Sequence, residues 1–276
     1  MIDVLNHRPN ILLENFLEDY QKFNKIDYEY AKQLISLGFK LQANAPYQKF
    51  LVDEWYASLE ADKPNFDLYD HQYYFVDLWI CWKEYSRNYL KAIPKRNSLD
   101  AETSIYSYLK DIRTVADLGC GLGLTSAGLK QIFKNARVVG TNIKDTKQYA
   151  FCEFMSKKYD FEIEPHYSRL PKLDLLFASE YYEHIYDCLD EIDVILKTKA
   201  PRYLYIASSF NTVSYGHFRK YKTLNSDAQV DQKKISKIFN NTLKLNGYRK
   251  IKTKLWNNRP ALWSNFDYIA SDISAC

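Results

Sequence analysis

Residues 114–128, TVADLGCGLGLTSAG, join a short apolar run ending in an acid to four glycines. The whole chain of 276 residues has only eight glycines, so half of them fall in this stretch. Glycine weakens strands and helices, and a cluster of it marks a sharp bend or a close approach that a side chain would block. TVADLG predicts a strand and GLTSAGLKQIFKN a helix, with the glycines in the turn between them. That layout is a nucleotide-type site. Gly119 and Gly121 let the main chain pass close to a ligand, and Gly123 eases the first helical turn against the strand. Asp117 would repel phosphate, so it suits a cationic group or hydroxyls better. The spacing G-x-G-x-G differs from the G-x-G-x-x-G of dinucleotide sites. No G-K-[ST] follows, which argues against ATP hydrolysis.

Outward from this turn, strands and helices alternate. ARVVGTNI, FEIEPH, LDLLFASE and RYLYIASS read as strands. DTKQYAFCEFMSKKY, YDCLDEIDVILKT and DQKKISKIFNNTLKLNG read as helices. YRKIKTKLW and ALWSNFDYIA close the chain as two strands with no helix between them, so this last pair is antiparallel. Alternation of this kind predicts an α/β fold with a mostly parallel sheet covered on both faces. Before Arg113 the pattern is helical: NILLENFLEDYQKF, DYEYAKQLISLGFK, APYQKFLVDEWYASLEA, one long helix from about Tyr69 to Ile93 stopped by Pro94, and AETSIYSYLKDI. The expected division is a helical region over 1–110 and a sheet domain over 111–276.

The composition, 46% hydrophobic and 26% charged, belongs to a globular chain with ample core. No run approaches the ~18 apolar residues of a membrane span, so no membrane association is expected. The N-terminus lacks a secretory pattern. The five cysteines are scattered and never in C-x-x-C spacing, which fits free thiols in a reducing compartment and predicts neither a disulfide frame nor a metal site. A cytoplasmic location, host cytoplasm included, is the expectation. The charge is uneven. Residues 1–105 carry 12 Lys/Arg against 16 Asp/Glu, whereas 216–256 carry 11 basic residues against Asp227 and Asp231. That basic stretch could meet the phosphates of a nucleic acid, or form a solvated lysine-rich helix and strand.

VADLGCGLGLTS resembles the first motif of the class I S-adenosylmethionine-dependent methyltransferases, [DE]-x-G-x-G-x-G. The resemblance continues in LDLLFASEYYEHIYDCLDEIDVILKTKAPRYLYIASSFN, where an apolar strand ends in S-E-x-x-E-H, and in GHFRKY followed by a helix ending in LNGY. It covers about the last 165 residues. It implies a Rossmann-like seven-stranded mixed sheet of order 3-2-1-4-5-7-6 with helices on both faces, preceded here by an α-helical N-terminal extension. It also implies S-adenosyl-L-methionine as methyl donor.

On this resemblance, Asp117, Gly119, Cys120 and Gly121 line the donor, with Ser179 and Glu180 at the end of the fourth strand. Asn142, beside Ile143, stands where the family has the acid that holds the ribose hydroxyls, and Asp145 is an alternative or a helix cap. Tyr167 or His166 could stack on the purine. The reacting end falls at SEYYEHIYD: Glu180 and His184 are candidate acid/base groups, with Tyr181 and Tyr182 as walls or hydrogen-bond donors. His184 could equally orient the loop without doing chemistry. Asn211, His217, Arg219 and Tyr221 are placed toward the acceptor. The acceptor is a small molecule, a nucleotide or a modified base, and nucleic acid enters only through the basic stretch. A binding subunit without activity is the alternative, favoured by Asn142 and opposed by the intact DLGCGLG.

Overall fold

The computed structural model describes residues 13–40, 46–93, 109, 111–251 and 260–265. Three helices come first, α1 (Leu13–Asn24), α2 (Tyr28–Lys40) and α3 (Pro46–Glu60). A short 3-10 turn over Phe66–Asp70 leads into α4 (Gln72–Cys81), which His71 caps by accepting the Tyr73 N–H at 3.2 Å. The expected single helix is interrupted. Trp82–Ser86 form a π turn, in which the Arg87 N–H reaches the Trp82 carbonyl, and α5 (Arg87–Ala92) continues beyond it. The expected helix AETSIYSYLKDI lies almost wholly outside the described residues.

The sheet domain follows as β1 (Thr114–Leu118), α6 (Leu124–Ile132), β2 (Arg137–Thr141), α7 (Lys147–Tyr159), β3 (Glu162–Glu164), β4 (Leu175–Ser179), α8 (Cys188–Lys199) and β5 (Tyr203–Ala207). A hairpin, β6 (Lys220–Lys222) with β7 (Gln229–Asp231), precedes α9 (Gln232–Leu245), β8 (Tyr248–Ile251) and β9 (Ala261–Asn265). The sequence pattern did not predict that hairpin. The main sheet has seven strands in the order β3-β2-β1-β4-β5-β9-β8, with β9 antiparallel to both β5 and β8. This is the expected topology. Strands β1, β4 and β5 are buried along nearly their whole length because helices cover both faces of the sheet centre. Helix α7 begins at Thr146, whose hydroxyl accepts the Tyr149 N–H, so Thr146 and not Asp145 is the cap.

The helical region and the sheet share one hydrophobic core. Phe16 of α1 stacks on Trp79 of α4, with ring centroids 4.4 Å apart, and meets Phe151 of α7 edge-on at 6.1 Å. Lys158 closes this contact with an ion pair to the buried Asp19 at 2.7 Å. On the other side, Tyr205 of β5 donates to the Tyr89 carbonyl at 3.1 Å, and Trp55 of α3 donates to the His217 carbonyl at 2.8 Å. The helices are therefore fastened over the carboxyl ends of β1, β4 and β5, where ligands bind in open α/β sheets. Among the described residues, no helix is long and apolar enough to cross a membrane.

Candidate functional site

The turn after β1 is hydrogen-bonded to the end of β2 and the residue after it. Gly119 and Gly121 both have left-handed backbones, with φ of 64° and 53°. The Gly119 N–H donates to Thr141 Oγ1 at 3.1 Å, and the Cys120 N–H to the Thr141 carbonyl at 2.9 Å. Asn142 completes the attachment: Nδ2 donates to the Gly121 carbonyl at 2.7 Å, and Oδ1 accepts the Ile143 N–H at 2.8 Å. Asn142 is thus a clamp on the glycine turn, with both ends of its amide engaged. Asp117 is also engaged. It is buried and accepts the hydroxyls of Thr125 and Ser126 at 2.5 and 2.6 Å, which ties β1 to the start of α6. Burial raises its carboxyl to about 7, and the two hydroxyls only partly offset this. It lines neither of the two cavities that flank the turn, whereas the sequence reading placed it against the donor.

Two cavities flank the turn. The smaller, about 430 Å³, is lined by Thr141, Asn142, Ile143, Tyr167, Tyr181 and Glu191, with Gly119 and Gly121 at its edge. Ile143 is 46% exposed and presents an apolar face. Tyr181 lays its ring against Gly119, and its hydroxyl donates to Glu191 Oε2 at 3.2 Å. Glu191 is buried, its carboxyl is raised to about 8 by burial, and its Oε1 has no hydrogen-bond partner.

The larger cavity, about 1070 Å³, lies between the π turn and the sheet and includes Ser86, Tyr89, Ser179, Ser209 and His217 in its lining. Glu180 and His184 border both cavities. Ser86 and Ser179 meet hydroxyl to hydroxyl at 2.8 Å. Glu180 sits at φ 51°, an uncommon conformation for a residue other than glycine, and its N–H is held by the Ala207 carbonyl at 2.7 Å. Its carboxylate accepts from Ser209 Oγ at 2.8 Å and from the Tyr89 hydroxyl at 3.4 Å.

Behind Glu180, Glu183 is completely buried. Its Oε1 accepts the Ser209 N–H at 2.7 Å, while Oε2 has no partner. Burial and the adjoining Glu180 raise its carboxyl to about 8. Burial, with His217 as a smaller cause, holds the His184 imidazole well below its ordinary range, so it is neutral near pH 7. The two histidine rings meet edge to face with centroids 4.7 Å apart.

Of the residues expected from the sequence, Gly119, Cys120, Gly121, Asn142, Ile143, Tyr167, Ser179, Glu180, Tyr181, His184 and His217 are brought to the two cavities. Tyr182 and Tyr221 are not. Tyr182 is fully buried against Phe239 of α9, with ring centroids 4.7 Å apart, and Tyr221 is buried with its hydroxyl donating to the Glu183 carbonyl at 2.9 Å. The apolar faces of both rings are core material. Arg219 lies 4.2 Å over the buried Tyr56 ring and reaches Glu60 at 3.5 Å, and Asn211 is exposed; neither lines either of the two cavities. Glu183, Glu191, Ser86, Tyr89 and Ser209 were missed. Only Glu183 had a signal, its place in the E-x-x-E-H spacing.

No family model matches the chain, and no match to a curated protein was found. Solved structures do resemble it. An O-methyltransferase family protein from Burkholderia thailandensis matches with TM-score 0.50 at 11% identity, covering 79% of this chain and 69% of that one. A SAM-dependent methyltransferase from Aquifex aeolicus matches with TM-score 0.35 at 16% identity, over 55% of this chain and 79% of that one. An O-methyltransferase from a Brevibacillus brevis multienzyme, solved with S-adenosyl-L-homocysteine, matches with TM-score 0.40 at 13% identity, over 76% of this chain and 63% of that one. At such identities the likeness concerns the fold. The fold is that of the class I S-adenosylmethionine-dependent methyltransferases.

Proposed function

We propose that the chain is an S-adenosylmethionine-dependent methyltransferase acting on a small-molecule or nucleotide acceptor in the larger cavity. The observation that carries this reading is the glycine turn. It is a left-handed turn at the carboxyl end of β1, where only glycine admits the side chains of Tyr181 and Leu78 so close to the main chain, and it has a cavity on each side. The residues present fit the donor. The smaller cavity offers the apolar face of Ile143, the ring of Tyr167 and one unpartnered buried acceptor, Glu191 Oε1, for a hydroxyl or amino group. Gly119, Cys120, Gly121, Ser179 and Glu180 would hold the amino-acid end. When bound, the donor supplies an electrophilic methyl group on a sulfonium.

The protein's share is mainly alignment, which can supply ~7–11 kcal/mol of a barrier. Ser86, Tyr89 and Ser209 fix Glu180 and the end of β4 from the acceptor side. The helices fastened over the sheet cover the larger cavity and exclude water from the reacting atoms. His184 is neutral but is a weak base in this setting, so we assign it to positioning the loop rather than to proton removal. Lys233, Lys234 and Lys237 lie on the exposed face of α9 and line neither cavity, which favours an acceptor small enough to enter over a polymer gripped from outside.

Isothermal titration with S-adenosyl-L-homocysteine tests the donor site, and transfer of a labelled methyl group to small molecules, nucleotides and RNA then tests the acceptor. Saturable binding is expected. No heat at ~1 mM ligand, corresponding to less than about 4 kcal/mol of binding, would overturn the reading.

A further inference from the structure

We infer that Glu183, His184 and His217, with Glu180 beside them, form a binding site for a divalent first-row transition cation at the floor of the larger cavity. One ligand atom from each of Glu183, His184 and His217 lies within 4.8 Å of the others. Two donors each ~2.1 Å from one metal stand about 3–4 Å apart, so closure onto a cation needs side-chain shifts of about 1 Å.

Four independent features mark the cluster as built for a cation. Glu183 Oε2 is a fully buried carboxylate oxygen with no hydrogen-bond partner, next to two imidazoles. Leaving a buried acceptor unmet costs about 1–3 kcal/mol, more if charged, and a bound cation would remove that cost. His217 Nδ1 stands 2.8 Å from the Thr212 carbonyl oxygen, so this nitrogen carries the proton and Nε2 presents its lone pair. A carbonyl behind the ring is the outer-shell partner that orients metal-bound histidines. Glu180 brings a second carboxyl group beside the cluster, since Ser209 donates its N–H to Glu183 Oε1 at 2.7 Å and its hydroxyl to Glu180 Oε2 at 2.8 Å. Finally, the chain reaches His217 through Gly216 at φ 77°, where an added Cβ would stand 2.7 Å from Tyr69 Oη and 2.8 Å from His184 Cε1. Only glycine lets the two histidines come so close.

The donor set decides the ion. Imidazole favours transition ions over Mg²⁺ and Ca²⁺, and carboxylates keep Mn²⁺ within range. The absence of cysteine among the ligands disfavours a thiolate-type structural zinc site. Glu180, His184 and His217 all border the larger cavity, so open coordination positions would face the acceptor. The cation would then hold an acceptor oxygen and lower its proton affinity, making the acceptor a hydroxyl compound. That consequence rests on the methyltransferase reading; cation binding does not.

The test uses the full chain, stripped with chelator, without methyl donor. Mn²⁺ is titrated while the electron paramagnetic resonance signal of the free ion is followed, and Co²⁺ while visible absorbance is followed. Expected is one saturable equivalent of each, with Mg²⁺ weaker by at least about tenfold. Glu183→Gln and His217→Gln should each weaken Mn²⁺ by at least about tenfold and alter the Co²⁺ spectrum. Far-UV circular dichroism identifies which variant remains folded, and either one suffices. No saturable Mn²⁺ or Co²⁺ binding up to ~1 mM, unchanged affinity in a folded variant, or Mg²⁺ binding as tight as Mn²⁺ would overturn the proposal. S-adenosyl-L-homocysteine titrated separately shows whether the donor site stands when the cation site falls, or the reverse.

Discussion

Adding one methyl group at Gly119 tests how the glycine turn is filled. At φ 64°, an L-residue costs about 1–2 kcal/mol relative to glycine. The new Cβ would also fall 2.9 Å from Cε2 and 3.2 Å from Cγ of Tyr181, with Cδ2 nearer still. Ordinary carbon contacts are about 3.5–4.0 Å, so the ring must withdraw by roughly 1 Å or more. Withdrawal strains or breaks the bond from the Tyr181 hydroxyl to Glu191, worth about 1 kcal/mol, and leaves a buried carboxyl with both oxygens unmet, about 1–3 kcal/mol more. Gly119→Ala should therefore cost about 3–6 kcal/mol in the wild-type background. In a Tyr181→Ala background the same change should cost only the backbone share, about 1–2 kcal/mol. Urea denaturation of the four proteins closes the cycle and should give a coupling of about 2–4 kcal/mol. Additivity within about 0.5 kcal/mol would refute the contact between ring and turn.

Asp117 gives a pH prediction. Its carboxyl is raised from 3.8 to about 7 in the fold, so the native state binds more protons than the unfolded chain between these values. Its shift is therefore harmless below pH ~4, and stability is lost as pH rises toward ~7, by up to ~1.4 kcal/mol per unit. Asp117→Asn keeps one acceptor for Thr125 and Ser126 and has no charge to bury, so its stability advantage should widen from pH 4 to 7 and then level off. A difference that stays flat in urea titrations across that range would contradict a buried carboxyl. Trp55→Phe removes the donor to the His217 carbonyl and should cost about 2 kcal/mol in urea, while weakening Mn²⁺ binding by loosening the His217 loop. Unchanged stability would show that this bond does not secure the loop. Replacing Lys233, Lys234 and Lys237 together by Ala should leave donor binding unchanged and any salt-dependent RNA affinity nearly so. A marked drop in the salt slope would instead make α9 a nucleic-acid surface.

The sheet was legible because its signals are local. The apolar runs of β1, β4 and β5, the glycines between β1 and α6, and the 3.6-residue period of α9 are each readable within a dozen residues. The site was legible where the backbone itself forms it, at Gly119 and Gly121. It was less so where side chains choose among partners. Asn142 stands at the place the sequence assigned, yet its amide is spent on the Gly121 carbonyl. Tyr182 and Tyr221 occur in the right segments, but period and spacing cannot say which face of a 3-10 turn or a short hairpin is buried. Glu183 escaped notice because its neighbours Glu180 and His184 satisfied the pattern. Its empty oxygen is visible only once His217, from a distant loop, is brought beside it.

The π turn at Trp82–Ser86 amounts to one residue more than the surrounding helix needs. Removing that residue would leave an unbroken α-helix, but everything after it would be rotated by about 100°. Ser86 and Tyr89 would swing off Ser179 and Glu180, while Phe75 and Trp79 upstream kept their packing. A single codon thus separates a chain that merely folds from one whose helical cover is in phase with the end of β4.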